Sequence, residues 1–128
     1  MEKKVLLSDK APKAIGPYSQ GIEADGLIFM SGQIPLDPST GAMVGGGIEV
    51  ETRRVLDNLK AILESQGLDM DSVVKTTIFL ADMGDFAKVN EVYGGYFGET
   101  PPARSTIQVG ALPKNARIEI EAVAVRRA

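Results

Sequence analysis

An arginine at the start of a predicted strand is the residue best placed for chemistry. Pro101 and Pro102 cannot donate to a sheet ladder, so we expect the strand to begin just after them, with Arg104 at its edge. The guanidinium is a permanently charged fork that can hold a carboxylate with two parallel hydrogen bonds. Strand alternation places Arg104, Thr106 and Gln108 on one face. The alternative is an arginine that caps a sheet edge or pairs with a surface acid.

The composition excludes several kinds of active site. The chain of 128 residues has no cysteine and no histidine, which removes disulfides, thiolate nucleophiles, the usual zinc ligands and the histidine-dependent catalytic couples. Carboxylates, tyrosine, lysine, hydroxyls and bound water remain for any chemistry. The 14 basic and 17 acidic residues give a net charge of −3 without a basic cluster, which disfavours nucleic-acid binding.

Length and hydropathy predict a single domain that spans residues 1–128. The first eight residues contain only three successive apolar side chains, far fewer than a signal peptide needs, and no window approaches a membrane span. We therefore expect a cytoplasmic protein with no membrane partner.

Two loops could present polar groups to a ligand. Gly16 and Pro17 shape a loop that ends at Tyr18, which offers a hydroxyl and a ring. A buried tyrosine with one hydrogen bond is the alternative. Ser31 and Gly32 place a hydroxyl and an unobstructed backbone at the end of a strand, where a ligand can come close. An ordinary exit from strand to loop would have the same sequence.

The apolar pattern predicts the order strand, strand, strand, helix, strand, helix, strand, strand. The Asp25-Gly26 dipeptide predicts a tight type I′ hairpin. We interpret the glycines at 45–47 as a flexible connector, because the lysine of a phosphate-binding loop is missing. Asn90 lies one residue off the apolar stripe of the second helix, and it is either a surface residue or reaches inward. The expected strands cover residues 5–7, 20–24, 27–31, 72–80, 104–109 and 117–125, and the expected helices cover 48–66 and 86–97.

This order indicates an α+β fold with a mixed sheet. The last two strands are expected to pair as a hairpin, which would bring Glu119 close to Arg104. Two helices can cover only one face of the sheet, yet several strands carry apolar residues on both faces. A homo-oligomer would bury the second face and would place pockets between subunits.

Five segments of the chain form a recognisable set. They are Gly16-Pro17-Tyr18-Ser19-Gln20-Gly21, Ser31-Gly32-Gln33-Ile34-Pro35, Asp57-Asn58-Leu59, Pro102-Ala103-Arg104-Ser105 and Ile118-Glu119-Ile120-Glu121-Ala122. Together they closely resemble the RidA/YjgF family of reactive-intermediate (enamine/imine) deaminases. The resemblance covers nearly the whole chain in the same order. It implies a chorismate-mutase-like fold with two helices on one face of the sheet, assembled as a homotrimer with active sites between adjacent subunits.

The resemblance also implies hydrolysis of 2-imino acids and their enamine tautomers, released by pyridoxal-phosphate enzymes, to 2-oxo acids and ammonia without cofactor or metal. Arg104 resembles the arginine that fixes the substrate carboxylate, and Glu119 resembles the carboxylate that polarises the attacking water. Tyr18, Ser31 and Asn90 match pocket positions. The backbone around Gly32 and Thr106 would complete the site.

One position departs from the family pattern. Many members carry a cysteine where this chain has Thr106, so a thiol role is impossible here, whereas a main-chain role is unaffected. Two other functions stay open. The same pocket could bind a small carboxylate such as a 2-oxo acid without catalysis, and some members are associated with ribonuclease activity, which the acidic balance and the missing histidine oppose.

Overall fold

The computed structural model describes residues 2–127. Six strands and two helices follow one another in the predicted order. The strands are β1 (Lys4–Leu6), β2 (Gly21–Ala24), β3 (Leu27–Gln33), β4 (Val73–Leu80), β5 (Ala103–Gln108) and β6 (Ile118–Val125), and the helices are α1 (Ile48–Glu64) and α2 (Phe86–Gly94). The predicted α+β class is therefore confirmed.

The strands form one mixed sheet in the order β1-β2-β3-β6-β4-β5. Only the β4–β5 pair is parallel, and α2 lies in the crossover between these two strands. β6 pairs antiparallel with β3 on one side and with β4 on the other. The last strand of the chain is thus an interior strand of the sheet, whereas β5 is at the edge.

Local turn and helix signals are confirmed. Asp25 and Gly26 adopt φ values of 53° and 77°, as a type I′ turn requires, and they join β2 to β3 with Ala24 opposite Leu27. The helix predicted over 86–97 ends earlier, at Gly94. A methyl group at Gly94 would meet nothing within 4 Å, so no close packing explains this glycine. The weak helix propensity of the two glycines is sufficient reason for the helix to stop there.

The hydrophobic core lies between the two helices and one face of the sheet. Alternate residues of β6 are buried against it, and so are alternate residues of β4. The largest fully buried side chains come from every layer: Leu6, Ile28, Leu56, Leu59, Ile62, Leu63, Ile78, Leu80, Ile118 and Ile120. Neither helix among residues 2–127 has both the length and the apolar character of a membrane span.

The predicted hairpin between the last two strands is wrong. β4 lies between β5 and β6, and residues 109–117 carry the chain past it through a short 3₁₀ turn at Pro113–Asn115. The composition of the two strands gives a physical reason. β5 is polar and almost wholly exposed, which suits an edge, whereas β6 has four fully or nearly fully buried side chains on its core face, which suits an interior strand.

The second sheet face is open in the single chain. Phe29 and Ile107 point away from the helices and are 46% and 45% exposed, and Leu27 is 38% exposed. Leu27 and Phe29 lie on β3 and Ile107 lies on β5, so exposed apolar side chains occur on both sides of this face. The expectation that another subunit covers this face stays a prediction.

Candidate functional site

Arg104 lies near the start of β5 on the helix-covered face, next to Thr76 of β4. Its Nη1 donates to Asn90 Oδ1 at 2.7 Å. The guanidinium carbon also lies 5.0 Å from the ring centre of Tyr93 and 5.5 Å from that of Phe86, which are cation–π distances. The side chain therefore lies on an aromatic surface of α2, and the half-buried Asn90 of the same helix bonds to it at an exposed position.

The aromatic support is itself anchored in the core. The hydroxyl oxygens of Tyr93 and Thr76 are 2.6 Å apart, and the Tyr93 ring lies 4.6 Å from that of Phe97. Burial raises the pKa of Tyr93, so its hydroxyl stays protonated. Among residues 2–127, Arg104 makes no salt bridge, and the alternative of pairing with a surface acid is therefore not found. The remaining guanidinium donors are free for an external carboxylate.

Glu119 lies in a different place, on the open face of the sheet. It alternates with buried Ile118 and Ile120 and stands opposite Phe79 of β4. Burial is the main cause that raises the pKa of the Glu119 carboxyl, and the nearby Glu121 charge adds to it. Neither of the two salt bridges found among residues 2–127 involves Glu119. A carboxylate of this kind is suited to accept a proton from a ligand or water.

Glu119 lines a cavity of about 660 Å³, together with Tyr18, Ser31 and Gly32. Tyr18 is 52% exposed, so the alternative of a buried tyrosine is wrong. Further wall residues come from the loops before β2 and after β3, among them Pro12, Ile15, Ile34 and Leu36. The structure thus brings together four of the predicted site residues in one cavity.

An irregularity in β3 shapes this cavity. Met30 pairs with Ala122 and Gln33 pairs with Ile120, so Ser31 and Gly32 together stand opposite one residue, Glu121, in a β-bulge. Ser31 Oγ donates to the Ser19 carbonyl at 2.6 Å, and its amide donates to the Gln20 carbonyl at 3.0 Å. The bulge therefore fixes the Tyr18 loop and turns the Gly32 backbone toward Glu119.

Arg104 and Glu119 do not share a pocket within one chain. They lie on opposite faces of the sheet, with β4 between their strands and a three-residue offset between their β4 neighbours, Thr76 and Phe79. Two strand spacings and three residues of rise separate their backbones by roughly 10 Å across the sheet and 10 Å along it. The expected proximity is wrong because it depended on the hairpin that does not form.

Thr106 is on the same face as Arg104 and stands opposite Ile78. Its hydroxyl oxygen is buried and has no hydrogen-bond partner among residues 2–127. Such a group is unusual in a folded chain. The polar side chain of Thr106 therefore stands next to an apolar position of β4. A contribution of Thr106 to the substrate site, by its side chain or by its backbone, stays a prediction.

Sequence reasoning missed Gln20, which organises the cavity wall. Its Nε2 lies 3.2 Å from the Ser8 carbonyl, 3.4 Å from that of Ala11 and 2.8 Å from that of Pro12, and its Oε1 accepts from the Ser8 amide at 2.7 Å. The side chain is buried, with 3% exposed. A buried amide that satisfies several loop carbonyls specifies one loop conformation. The position of Gln20 next to the Gly16-Pro17 loop was the feature of the sequence that could have indicated this anchoring role.

We expect Gln20→Glu to lower the free energy of unfolding by about 3 kcal/mol, because a carboxylate would face several carbonyls without a donor. Urea unfolding measures this change. Gln108→Glu is the matched control, since Gln108 is exposed and accepts one bond from the Met83 amide, which a carboxylate also accepts. A loss below about 1 kcal/mol for Gln20→Glu would contradict the anchoring role.

No group of three metal-ligating side chains occurs within residues 2–127. The comparisons with known proteins agree with the fold. The family model described as Endoribonuclease L-PSP matches residues 8–126. Protein DfrA of Myxococcus xanthus is 57% identical over 98% of this chain and 97% of its own length.

Two further relatives carry more specific descriptions. The 2-iminobutanoate/2-iminopropanoate deaminase of Mus musculus is 52% identical over 97% of this chain and 92% of its own length. The crystal structure of Escherichia coli TdcF with bound serine has a TM-score of 0.92 at 44% identity, and the match covers 97% of this chain and 99% of that one. This chain therefore belongs to the RidA/YjgF family of reactive-intermediate deaminases, for which the Endoribonuclease L-PSP model is the family model.

Proposed function

We propose that this protein hydrolyses 2-imino acids and their enamine tautomers, such as the imines of pyruvate and 2-oxobutanoate, to 2-oxo acids and ammonia. The observation that carries this proposal is that two charged side chains, Arg104 and Glu119, each lack an oppositely charged partner among residues 2–127. Arg104 is fixed on aromatic rings without an acid partner, and Glu119 is partly buried without a basic partner among residues 2–127. The substrate class follows that of the mouse relative named above.

The reaction needs a carboxylate holder and a base for water. Arg104 binds the substrate carboxylate with two parallel hydrogen bonds. The imine reacts in its N-protonated form: Glu119 accepts a proton from water while the water oxygen adds to the C=N carbon, which gives a neutral tetrahedral carbinolamine. Glu119 then passes this proton to the nitrogen, the C–N bond breaks and ammonia leaves, and the hydroxyl gives its proton to Glu119 as it becomes the carbonyl of the 2-oxo acid. Release of that proton to solvent, where it forms ammonium with the ammonia, restores the carboxylate. Orientation and general-base catalysis together account for a cofactor-free reaction.

The two groups can act together only if adjacent copies combine them. We propose a homotrimer in which Arg104 of one subunit approaches the Glu119 cavity of the next. The exposed apolar residues of the open sheet face, including Phe29 and Ile107, support an assembly that buries this surface. Tyr18 and Ser31 would then line the site beside Glu119, whereas Asn90 and Thr106 would belong to the Arg104 side.

An in-situ assay tests the activity. A threonine dehydratase or an amino-acid oxidase generates the imine, and semicarbazide traps the fraction that has not been hydrolysed. We expect the protein to lower the trapped fraction and to raise 2-oxo acid and ammonia formation. If the protein binds 2-oxobutanoate but leaves the hydrolysis rate unchanged, a carboxylate-binding function replaces the catalytic one. Cleavage of RNA that is lost in Arg104→Ala would support the ribonuclease alternative instead.

Mixing two inactive variants tests the shared site. Chains carrying Arg104→Ala or Glu119→Gln are unfolded and refolded together in equal amounts. If each site takes its arginine and its glutamate from different chains, random assembly restores about a quarter of the wild-type sites. The control is each variant refolded alone, which should stay inactive. No recovery in a mixture shown by mass spectrometry to contain trimers of both chains would contradict this assembly.

A further inference from the structure

Gly32 is required by space rather than by backbone conformation. Its φ is not among the left-handed values that the structure records for other glycines, such as Gly26 and Gly67. A side chain is excluded for another reason. A β-carbon at Gly32 would lie 2.8 Å from Cδ and 3.1 Å from Cγ of Glu119, and it would overlap Oε2. Real side chains do not approach this closely, so alanine cannot be accommodated unless Glu119 moves.

This contact is the closest of its kind in the described part of the chain. A methyl group at Gly41, Gly45 or Gly110 would meet nothing within 4 Å, and at Gly84 the nearest atom is 3.0 Å away. The Glu119 carboxylate therefore lies in a slot whose wall is the bare Cα of Gly32. The β3 bulge turns this Cα toward β6, and no salt bridge among residues 2–127 holds the carboxylate from another direction.

We propose that Gly32 is a positioning residue, whose missing side chain forms the slot that holds the Glu119 carboxylate at the cavity wall. This inference rests on the proposed function of Glu119 as the base for water. The Glu119 carboxylate is held by its contact with Gly32 and not by a salt bridge among residues 2–127. Its oxygens therefore remain available to the water. The role differs from a backbone contact between Gly32 and the substrate, because it acts on the rate of the chemical step through Glu119.

We expect Gly32→Ala to lower kcat by about 10- to 100-fold, because misplacement of a catalytic group by about 1 Å has effects of this size. KM should change by less than about threefold, since Arg104 provides carboxylate binding. Gly45→Ala is the matched control, because it adds the same methyl group in open space at the same kind of φ. A raised KM with unchanged kcat would indicate a substrate-binding role and would overturn the proposal.

A second variant separates positioning from general damage. Glu119→Asp shortens the side chain by one methylene and withdraws its carboxylate. The methyl group added by Gly32→Ala should then no longer clash with that carboxylate. We expect Gly32→Ala to lower kcat by less than about threefold in the E119D background. The steric clash should also lower the melting temperature of Gly32→Ala in the wild-type background, and we expect this loss to be recovered in the E119D background. An equal loss of rate in both backgrounds would overturn the proposal, as would wild-type kinetics for Gly32→Ala.

A titration gives a readout that does not depend on imine hydrolysis. The ¹³C signal of Glu119 Cδ, assigned by its absence in Glu119→Gln, reports the ionisation of this carboxyl group in wild type and in Gly32→Ala. The charged groups that face it are Glu121 on β6 and Lys13 and Lys114 on the cavity loops. Displacement toward water should lower the pKa toward that of an ordinary glutamate, because burial is the main cause of its elevation.

The two failures are distinguishable. If wild type hydrolyses no imine but Gly32→Ala lowers the pKa of Glu119, the proposed function fails and the slot stands. If wild type is active and Gly32→Ala leaves both the pKa and kcat unchanged, the slot fails and the proposed function stands.

Discussion

Replacing Arg104 by alanine should lower kcat/KM for a 2-imino acid by a factor on the order of 10³, because two charge-assisted hydrogen bonds to the substrate carboxylate are lost. Arg104→Lys should recover only part of the activity, since an ammonium keeps the charge but not the planar fork. The fold should be unaffected, because Arg104 is exposed and its hydrogen bond to Asn90 is also exposed.

Steady-state formation of 2-oxobutanoate from an imine generated in situ measures this effect, and the melting temperature verifies the fold. Arg53→Ala is the matched control, because Arg53 is also exposed but lies on α1, away from β5. Wild-type rates for Arg104→Ala would refute the assignment of the carboxylate-binding residue, and with it the proposed geometry of the reaction.

Replacing Glu119 by glutamine should lower kcat by about 10²- to 10³-fold, because the amide can still orient water but cannot accept its proton. Stability should not fall. The raised pKa of Glu119 means that folding disfavours the ionised carboxylate, so its contribution to stability decreases as pH rises through the range between the ordinary and the raised pKa. Above that range Glu119→Gln removes this cost, and its melting temperature should equal or exceed that of wild type.

The pH profile of kcat/KM gives an independent measurement. Its acidic limb should lie above the ordinary glutamate pKa of 4.5, since the base is the ionised form of Glu119. Glu121→Gln is the matched control, because it neutralises an exposed acid on the same face two residues away. It should keep most of the activity and shift the acidic limb to lower pH, since the Glu121 charge raises the Glu119 pKa. An unshifted limb in Glu121→Gln and full activity in Glu119→Gln would contradict the role of Glu119.

The local structure of this chain was readable from its residues. Two prolines precede β5 and Asp25-Gly26 forms the hairpin turn, because each of these features depends on φ preferences of neighbouring residues, whereas α2 ends at Gly94, three residues before its predicted end. Side-chain alternation in β5 and β6 was also predicted correctly, since a strand has a fixed period of two. The family resemblance supplied the residue types of the site, and the comparisons confirm the family.

Strand order was not readable in the same way. Pairing of β5 with β4 rather than with β6 depends on contacts between distant segments, and both arrangements satisfy the local pattern. With this strand order Arg104 and Glu119 lie on opposite faces of the sheet, two strands apart, and share no pocket within one chain. The error in the sequence prediction is therefore also the strongest reason to propose a site shared between subunits.

The sequence by itself determined the elements, their order, the available chemistry and the two charged groups, because composition and local backbone preferences are properties of short segments. Only the tertiary structure decided which groups meet. The contact between Gly32 and the Glu119 side chain joins residues that are far apart along the chain. Such contacts exist only after the sheet has chosen its strand order and its bulge.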